Sequence, residues 1–182
     1  MEKIVWADVE SDGIDPHEGC RLLQIATIVT DANLNEIGEG YMAKIWHSEE
    51  EVRRMRENTV PFVRDMHDAT GLWSSLPTEG KELGQVEAEV LAYLQAQGVE
   101  PKAARLGGNS ITLDRNFLGV YLPRVLAYLH YRSYDMTSAG GFIRLCRPEV
   151  ADFKKRTVHD ALEDIRESLA EARYYRDVLQ AL

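Results

Sequence analysis

The chain has 182 residues, of which 45% are hydrophobic and 28% charged, with a formal net charge of −9. That length suits one domain with a substantial core, and no apolar run approaches the roughly 18 residues of a membrane span. The acidic balance argues against a long nucleic acid held on a broad basic surface, but it admits a short oligonucleotide at a site where bound metal offsets acidic side chains.

Residues 3–10 read as the first strand and the organising element. Alternation puts Ile4, Trp6, Asp8 and Glu10 on one face and Val5, Ala7 and Val9 on the other. Apolar residues on both faces describe an interior strand. Asp8 and Glu10 then stand about 7 Å apart on one face, where they repel unless a cation lies between them. A divalent metal would answer that; so would a plain exit of the strand into water, and these residues alone leave both open.

A turn-rich loop follows at residues 11–16, then a second strand at 21–30, a tight turn at 31–33 and a third strand at 34–46, forming an antiparallel meander. Cys20 and Cys146 are too few for a disulfide framework and read as reduced thiols. Helix-start chemistry appears at Glu49, Glu50 and Glu51; Pro61 breaks the pattern, and residues 62–71 read as a short helix closed by glycine. Residues 78–98 form the clearest amphipathic helix, with Leu83, Val86, Val90, Leu91 and Leu94 on one stripe.

A short strand at 104–109 ends in glycines, with helices expected near 113–121 and 123–128 and a fifth strand at 131–136. Thr137 is placed to cap the next helix, which runs to about Cys146 although Gly140 and Gly141 loosen it. Residues 148–156 are irregular and basic. The last helix spans 160–179, with Leu162, Ile165, Leu169 and Ala172 inward. With no repeats, low-complexity tracts or linkers, one domain over residues 1–182 is expected. The N-terminus runs straight into a strand without a secretory signal, and a cytoplasmic protein is expected. The order of elements predicts an α/β fold with a five-stranded mixed sheet, three antiparallel strands then parallel ones, flanked by helices. Ligands of such sheets sit at the carboxyl ends of strands, where Asp8 and Glu10 lie.

Two further acids hold telling positions. Asp114 follows Gly107-Gly108-Asn109-Ser110 at a helix start, where an acid is also favourable for the helix alone. Asp164 lies one turn into the last helix, five residues after His159. Asp160 and Glu163 form a competing capping arrangement there.

Together, D-x-E on the first strand, Gly-Asn-Ser-x-x-x-Asp in mid-chain and His-x-x-x-x-Asp on the last helix resemble the DEDDh 3′–5′ exonuclease family, and within it the oligoribonuclease branch. Residues 24–34, 66–72, 108–115, 130–132, 159–168 and 171–176 are similar to that branch's signatures, so the resemblance spans nearly the whole chain. It implies a ribonuclease H-like fold and a DEDDh exonuclease domain. Asp8, Glu10, Asp114 and Asp164 would bind two Mg²⁺ or Mn²⁺ ions, with His159 as general base. The chemistry agrees, since hard divalent cations take carboxylate oxygens and a histidine titrating near ~6.5 can accept a proton at working pH.

The resemblance also implies that Ile14 and Phe62 wedge the bases of a short substrate, although Phe62 would equally suit ordinary helix-face core. Ser110, Arg132 and Thr137 resemble a polar group that caps the 5′-phosphate. A homodimer is implied, with Tyr131 reaching the neighbouring site. Glu10-Ser11-Asp12-Gly13-Ile14 departs from the branch's usual Glu-Met-Thr-Gly-Leu, and residues 132–138 also differ from its pattern. The implied function is 3′–5′ exoribonuclease cleavage of very short single-stranded RNA, dinucleotides included, to 5′-mononucleotides. Alternatives are a DEDDh exonuclease on single-stranded DNA or longer RNA, and a non-catalytic nucleotide-binding module.

Overall fold

Strand β1 (Lys3–Ser11) needs cover on both faces and pairing on both edges, and it has them. A computed structural model describes residues 2–154 and 161–181. In it β1 is the middle strand of five, in the order β3–β2–β1–β4–β5, with β2 at Leu22–Asp31, β3 at Tyr41–Lys44, β4 at Arg105–Gly108 and β5 at Ser133–Asp135. β1 runs antiparallel to β2, from Lys3↔Asp31 to Glu10↔Gln24, with an irregularity between Glu10 and Ser11. On its other edge it runs parallel to β4, but only from Ile4 to Trp6. β4 pairs in parallel with β5, and β2 antiparallel with β3. This is the mixed sheet expected from the sequence.

The two faces of β1 belong to two cores. Val5, Ala7 and Val9 pack with Val86, Val90 and Leu94 of α4 (Leu83–Ala96), Phe117 and Leu118 of α5 (Thr112–Tyr121) and Val125 of α6 (Pro123–Tyr128). Ile4 and Trp6 pack against Ile165, Leu169 and Ala172 of α8 (Ala161–Gln180). The buried Trp6 indole donates to Thr30 Oγ1 at 3.0 Å, so its polar atom is satisfied within the core. Asp8 and Glu10 share the parity of Ile4 and Trp6, so they point toward α8.

Four local expectations are corrected. The third strand is only Tyr41–Lys44, because the preceding stretch turns at Leu34 (φ 65°) and Gly38 (φ 68°). The helix expected over 78–98 is α4 alone, starting at Leu83; residues 78–79 end a separate helix, α3 (Leu72–Glu79), and between the two Lys81 leaves to bridge Ile45 beside β3. Gly80 permits this: a Cβ there would collide with the Leu76 carbonyl oxygen and lie 2.5 Å from Trp46 Cα. The fifth strand shrinks to three residues. Helix α7 (Met136–Cys146) is capped by Asp135, which accepts from Ser138 N at 3.3 Å, rather than by Thr137.

Gly140, expected to loosen α7, lies instead against Tyr175 of α8, where a side chain would collide with the ring. Helix α1 (Glu49–Asn58) starts with a reciprocal capping box between Ser48 and Glu51, and α2 covers Pro61–Ala69. Both cysteines are free. Among the described residues no helix is long and apolar enough to cross a membrane. The expected capping residue Asp160 and the basic stretch beyond Lys154 lie outside the described residues.

Candidate active site

Asp8 and Glu10 stand at the carboxyl end of β1, and α8 brings Asp164 across to them. One carboxylate oxygen from each of the three lies within 4.8 Å of the others. Asp114, in the first turn of α5, stands near them on the β4 side, where its charge reaches Glu10, and a local necessity holds it there. β4 stops pairing with β1 at Gly107, leaving the Val9 amide without a strand partner on that edge, and Asp114 Oδ1 accepts its hydrogen bond at 3.0 Å. An unmade bond there would be costly, so Asp114 is built into the sheet and is itself 5% exposed.

This concentration of acid shows in its titration. Burial pushes Glu10 up to about 7, with further lift from the charges of Asp164 and Asp114. Burial likewise pushes Asp114 up to about 7, opposed by the Val9 hydrogen bond. Half-buried carboxylates that repel one another in a mouth between strand ends are a poor design for stability alone. They suit a divalent cation, which takes oxygen ligands and reverses the repulsion.

One neighbour was not singled out from the sequence, although it lies inside the 66–72 signature. His67 is 1% exposed, its Nε2 lies 2.9 Å from the Ser11 carbonyl, and its Nδ1 lies 3.9 Å from Glu10 Oε2. A carbonyl can only accept, so Nε2 carries the proton and Nδ1 is the nitrogen that faces Glu10. Trp73 meets the imidazole edge-on at 5.2 Å and holds it in place. Beside Glu10 a cleft of about 150 Å³ is lined by Gln24, Met42, Lys44, Met66 and His67 among others.

The remaining residues singled out from the sequence fall into groups. Ile14 and Phe62 are 79% and 73% exposed, so Phe62 is not helix-face core. They lie on neighbouring segments, tied where Thr59 Oγ1 donates to the Asp12 carbonyl at 2.6 Å. Asp12, the departure from the expected pattern, accepts from Arg21 N at 2.6 Å through its carboxylate and so braces this loop.

Ser110 and Thr137 are brought together: Ser110 N donates to Thr137 Oγ1 at 3.1 Å, and the two hydroxyls lie 3.4 Å apart. Tyr131 is 68% exposed, stacked on His130 at 4.6 Å, with the Arg132 guanidinium 5.3 Å from its ring centre. Among the described residues no hydrogen bond or ion pair joins the Arg132 side chain to Ser110 or Thr137. His159 lies outside the described residues.

Comparison with known proteins bears on what this arrangement does. The RNase_T family model, described as exonuclease, matches residues 5–172. An oligoribonuclease of Pectobacterium atrosepticum is 39% identical over 175 residues, covering 96% of this chain and 94% of that protein. An oligoribonuclease of Alkalilimnicola ehrlichii is 40% identical over 175 residues, covering 95% and 87%. Among solved structures, a zinc-bound complex of E. coli exonuclease I with single-stranded DNA superposes with a TM-score of 0.74 at 17% identity, over 98% of this chain. Exonuclease I of Methylocaldum szegediense gives 0.70 at 23% identity, over 97% of this chain. This chain spans 41% of either exonuclease I chain, and the likeness is one of fold.

Proposed function

The chain belongs to the RNase_T exonucleases and, within them, to the oligoribonucleases, and from that premise we propose that it cleaves very short single-stranded RNA from the 3′ end, dinucleotides included, to 5′-mononucleotides. The observation that carries the reading is the convergence of Asp8, Glu10 and Asp164 within 4.8 Å, backed by buried Asp114. We take the whole chain as one exonuclease domain working in the cytoplasm, a setting that suits its two free cysteines.

In this reading the four acids hold two Mg²⁺ or Mn²⁺ ions. When bound, such ions supply positive charge to the attacking and leaving oxygens of the phosphoryl displacement. The chain's own groups do the rest. His159 accepts the proton of the attacking water as general base. Ile14 and Phe62 wedge the bases, and stacking on the exposed Phe62 ring, at roughly 1–3 kcal/mol per base, tolerates any sequence. Ser110 and Thr137, with Arg132, receive the 5′-phosphate, and a guanidinium suits that task because it can grip phosphate with two parallel hydrogen bonds. Tyr131 acts on the site of a second copy in a homodimer, a role its exposed ring leaves it available to fill.

The test is a time course with Mn²⁺ on a 5′-phosphorylated RNA dinucleotide, pentanucleotide and longer strand, with matched DNAs. Fastest cleavage of the RNA dinucleotide is the expected result. Rates that rise with length, or DNA cleaved as fast as RNA, would replace this reading with a general DEDDh exonuclease. No cleavage at any length, with nucleotide binding retained, would leave a non-catalytic module.

A further inference from the structure

The loop that carries Ser110 is strained. Ser110 has a φ of 48°, a left-handed conformation that a non-glycine residue keeps only when its surroundings impose it. Part of the restraint is local: its amide donates to Asp135 Oδ1 and to Thr137 Oγ1, both at 3.1 Å. The rest comes from the neighbouring Asn109, whose Nδ2 donates to Glu171 Oε2 at 2.7 Å and approaches Thr137 Oγ1 at 3.4 Å.

Glu171 is 7% exposed and sits on α8, seven residues after Asp164. Seven residues are close to two helical turns, so both side chains project from one face of α8, about 10 Å apart along its axis. Helix α7, which carries Thr137, is held to α8 independently. Gly140 lies against the Tyr175 ring, and Arg144 Nη1 donates to the Tyr175 hydroxyl at 2.7 Å. One rigid helix therefore carries an acid of the metal cluster at one point and the anchor of the Ser110–Thr137 pair at another.

We infer that Asn109 and Glu171 are positioning residues that set the 5′-phosphate cap at a fixed distance from the acids of the cleavage site. The pair thereby helps restrict the enzyme to minimal substrates. The inference rests on the exoribonuclease reading above and adds to it the element that sets the length limit. Neither residue touches the substrate in this scheme. Their effect passes through Ser110 and Thr137.

The experiment compares wild type, Asn109→Ala, Glu171→Ala and Glu171→Gln on a 5′-phosphorylated RNA dinucleotide and on the same dinucleotide with a free 5′-hydroxyl. KM and kcat are measured for each, together with Kd in Ca²⁺. In Glu171→Gln the side chain keeps an oxygen that can accept from Asn109, so wild-type behaviour is expected. Asn109→Ala and Glu171→Ala should raise KM and Kd for the phosphorylated dinucleotide about tenfold, the effect of losing one good hydrogen-bonded contact, with values for the hydroxyl form held within about twofold.

Equal losses on both dinucleotides, or no change on either, would overturn the positioning role. A wild type that does not distinguish the two dinucleotides would instead sink the cap itself, and that outcome is read before any variant is compared. If Glu171→Ala does not fold, the half-exposed Asn109 carries the same test alone.

Discussion

At the scale of single residues, the proposed site makes the acids decide both activity and stability, and they pull in opposite directions. Asp164 raises the pKa of Glu10 by its charge, so Asp164→Asn should relieve repulsion in the metal-free protein while removing a ligand. Turnover is expected to fall by more than the roughly 10–100-fold typical of an outer-shell change, while the melting temperature in EDTA rises. An active variant would sink the site, and a lower melting temperature would sink the account of repulsion.

The pH dependence follows from the same groups. Glu10 lies at about 7 in the fold against 4.5 ordinarily, and Asp114 at about 7 against 3.8. A carboxyl whose folded pKa is raised disfavours folding once it ionises. Its contribution is therefore intact at low pH and is lost as pH rises from its ordinary value through about 7. Metal-free protein should melt lower at about pH 8 than at about pH 5.5, and Glu10→Gln should flatten that difference. Metal affinity should run the other way, weakening as pH falls below 7 because binding must displace protons.

At the scale of elements, what was legible depended on whether a pattern was local. β1, β2, β4, α5, α6 and α8 could be read because their apolar periods and glycine or proline punctuation lie within each segment. The helical run expected from Thr78 is interrupted before Leu83, where the apolar stripe Leu83–Leu94 and helix α4 begin. What interrupts it is non-local: Trp46 N donates to the Lys81 carbonyl at 2.8 Å and Lys81 N to the Lys44 carbonyl at 3.0 Å, extending the short β3 edge. That exchange needs Gly80. Gly80→Ala should cost about 1–3 kcal/mol, read as a lower urea midpoint at unchanged slope. A variant of wild-type stability would show that the turn adapts.

The site was legible to the same degree. Strand parity puts Asp8 and Glu10 on one face, while Asp114 and Asp164 stand out only through motifs that resemble the DEDDh family. The hydrogen bond from Val9 to Asp114 could not be read, because it depends on where β4 stops. His67 escaped for a related reason: its tie to Ser11 joins residues that are 56 apart in the chain.

At the scale of the whole molecule, the sheet order makes the metal cluster a junction of the fold. On the proposed reading its ligands come from β1, α5 and α8. A cation bound there stabilises the folded chain only, by RT ln(1 + [L]/Kd), or about 2.7 kcal/mol at a hundredfold excess over Kd. For a chain of this length that is a rise in melting temperature of roughly 5–10 °C with Mn²⁺ at about pH 8. Asp8→Ala should abolish the shift, and a shift that survives in it would mean the ion binds elsewhere.

The spread of those acids along the chain also sets the order in which the site can form. Asp164 is made 156 residues after Asp8, and Ala161, Ile165 and Leu169 seat its helix on the sheet. Until α8 is made, Asp8, Glu10 and Asp114 lack the acid that faces them, and the cluster cannot close. On the proposed reading, exonuclease activity therefore appears only after α8 has docked on the sheet.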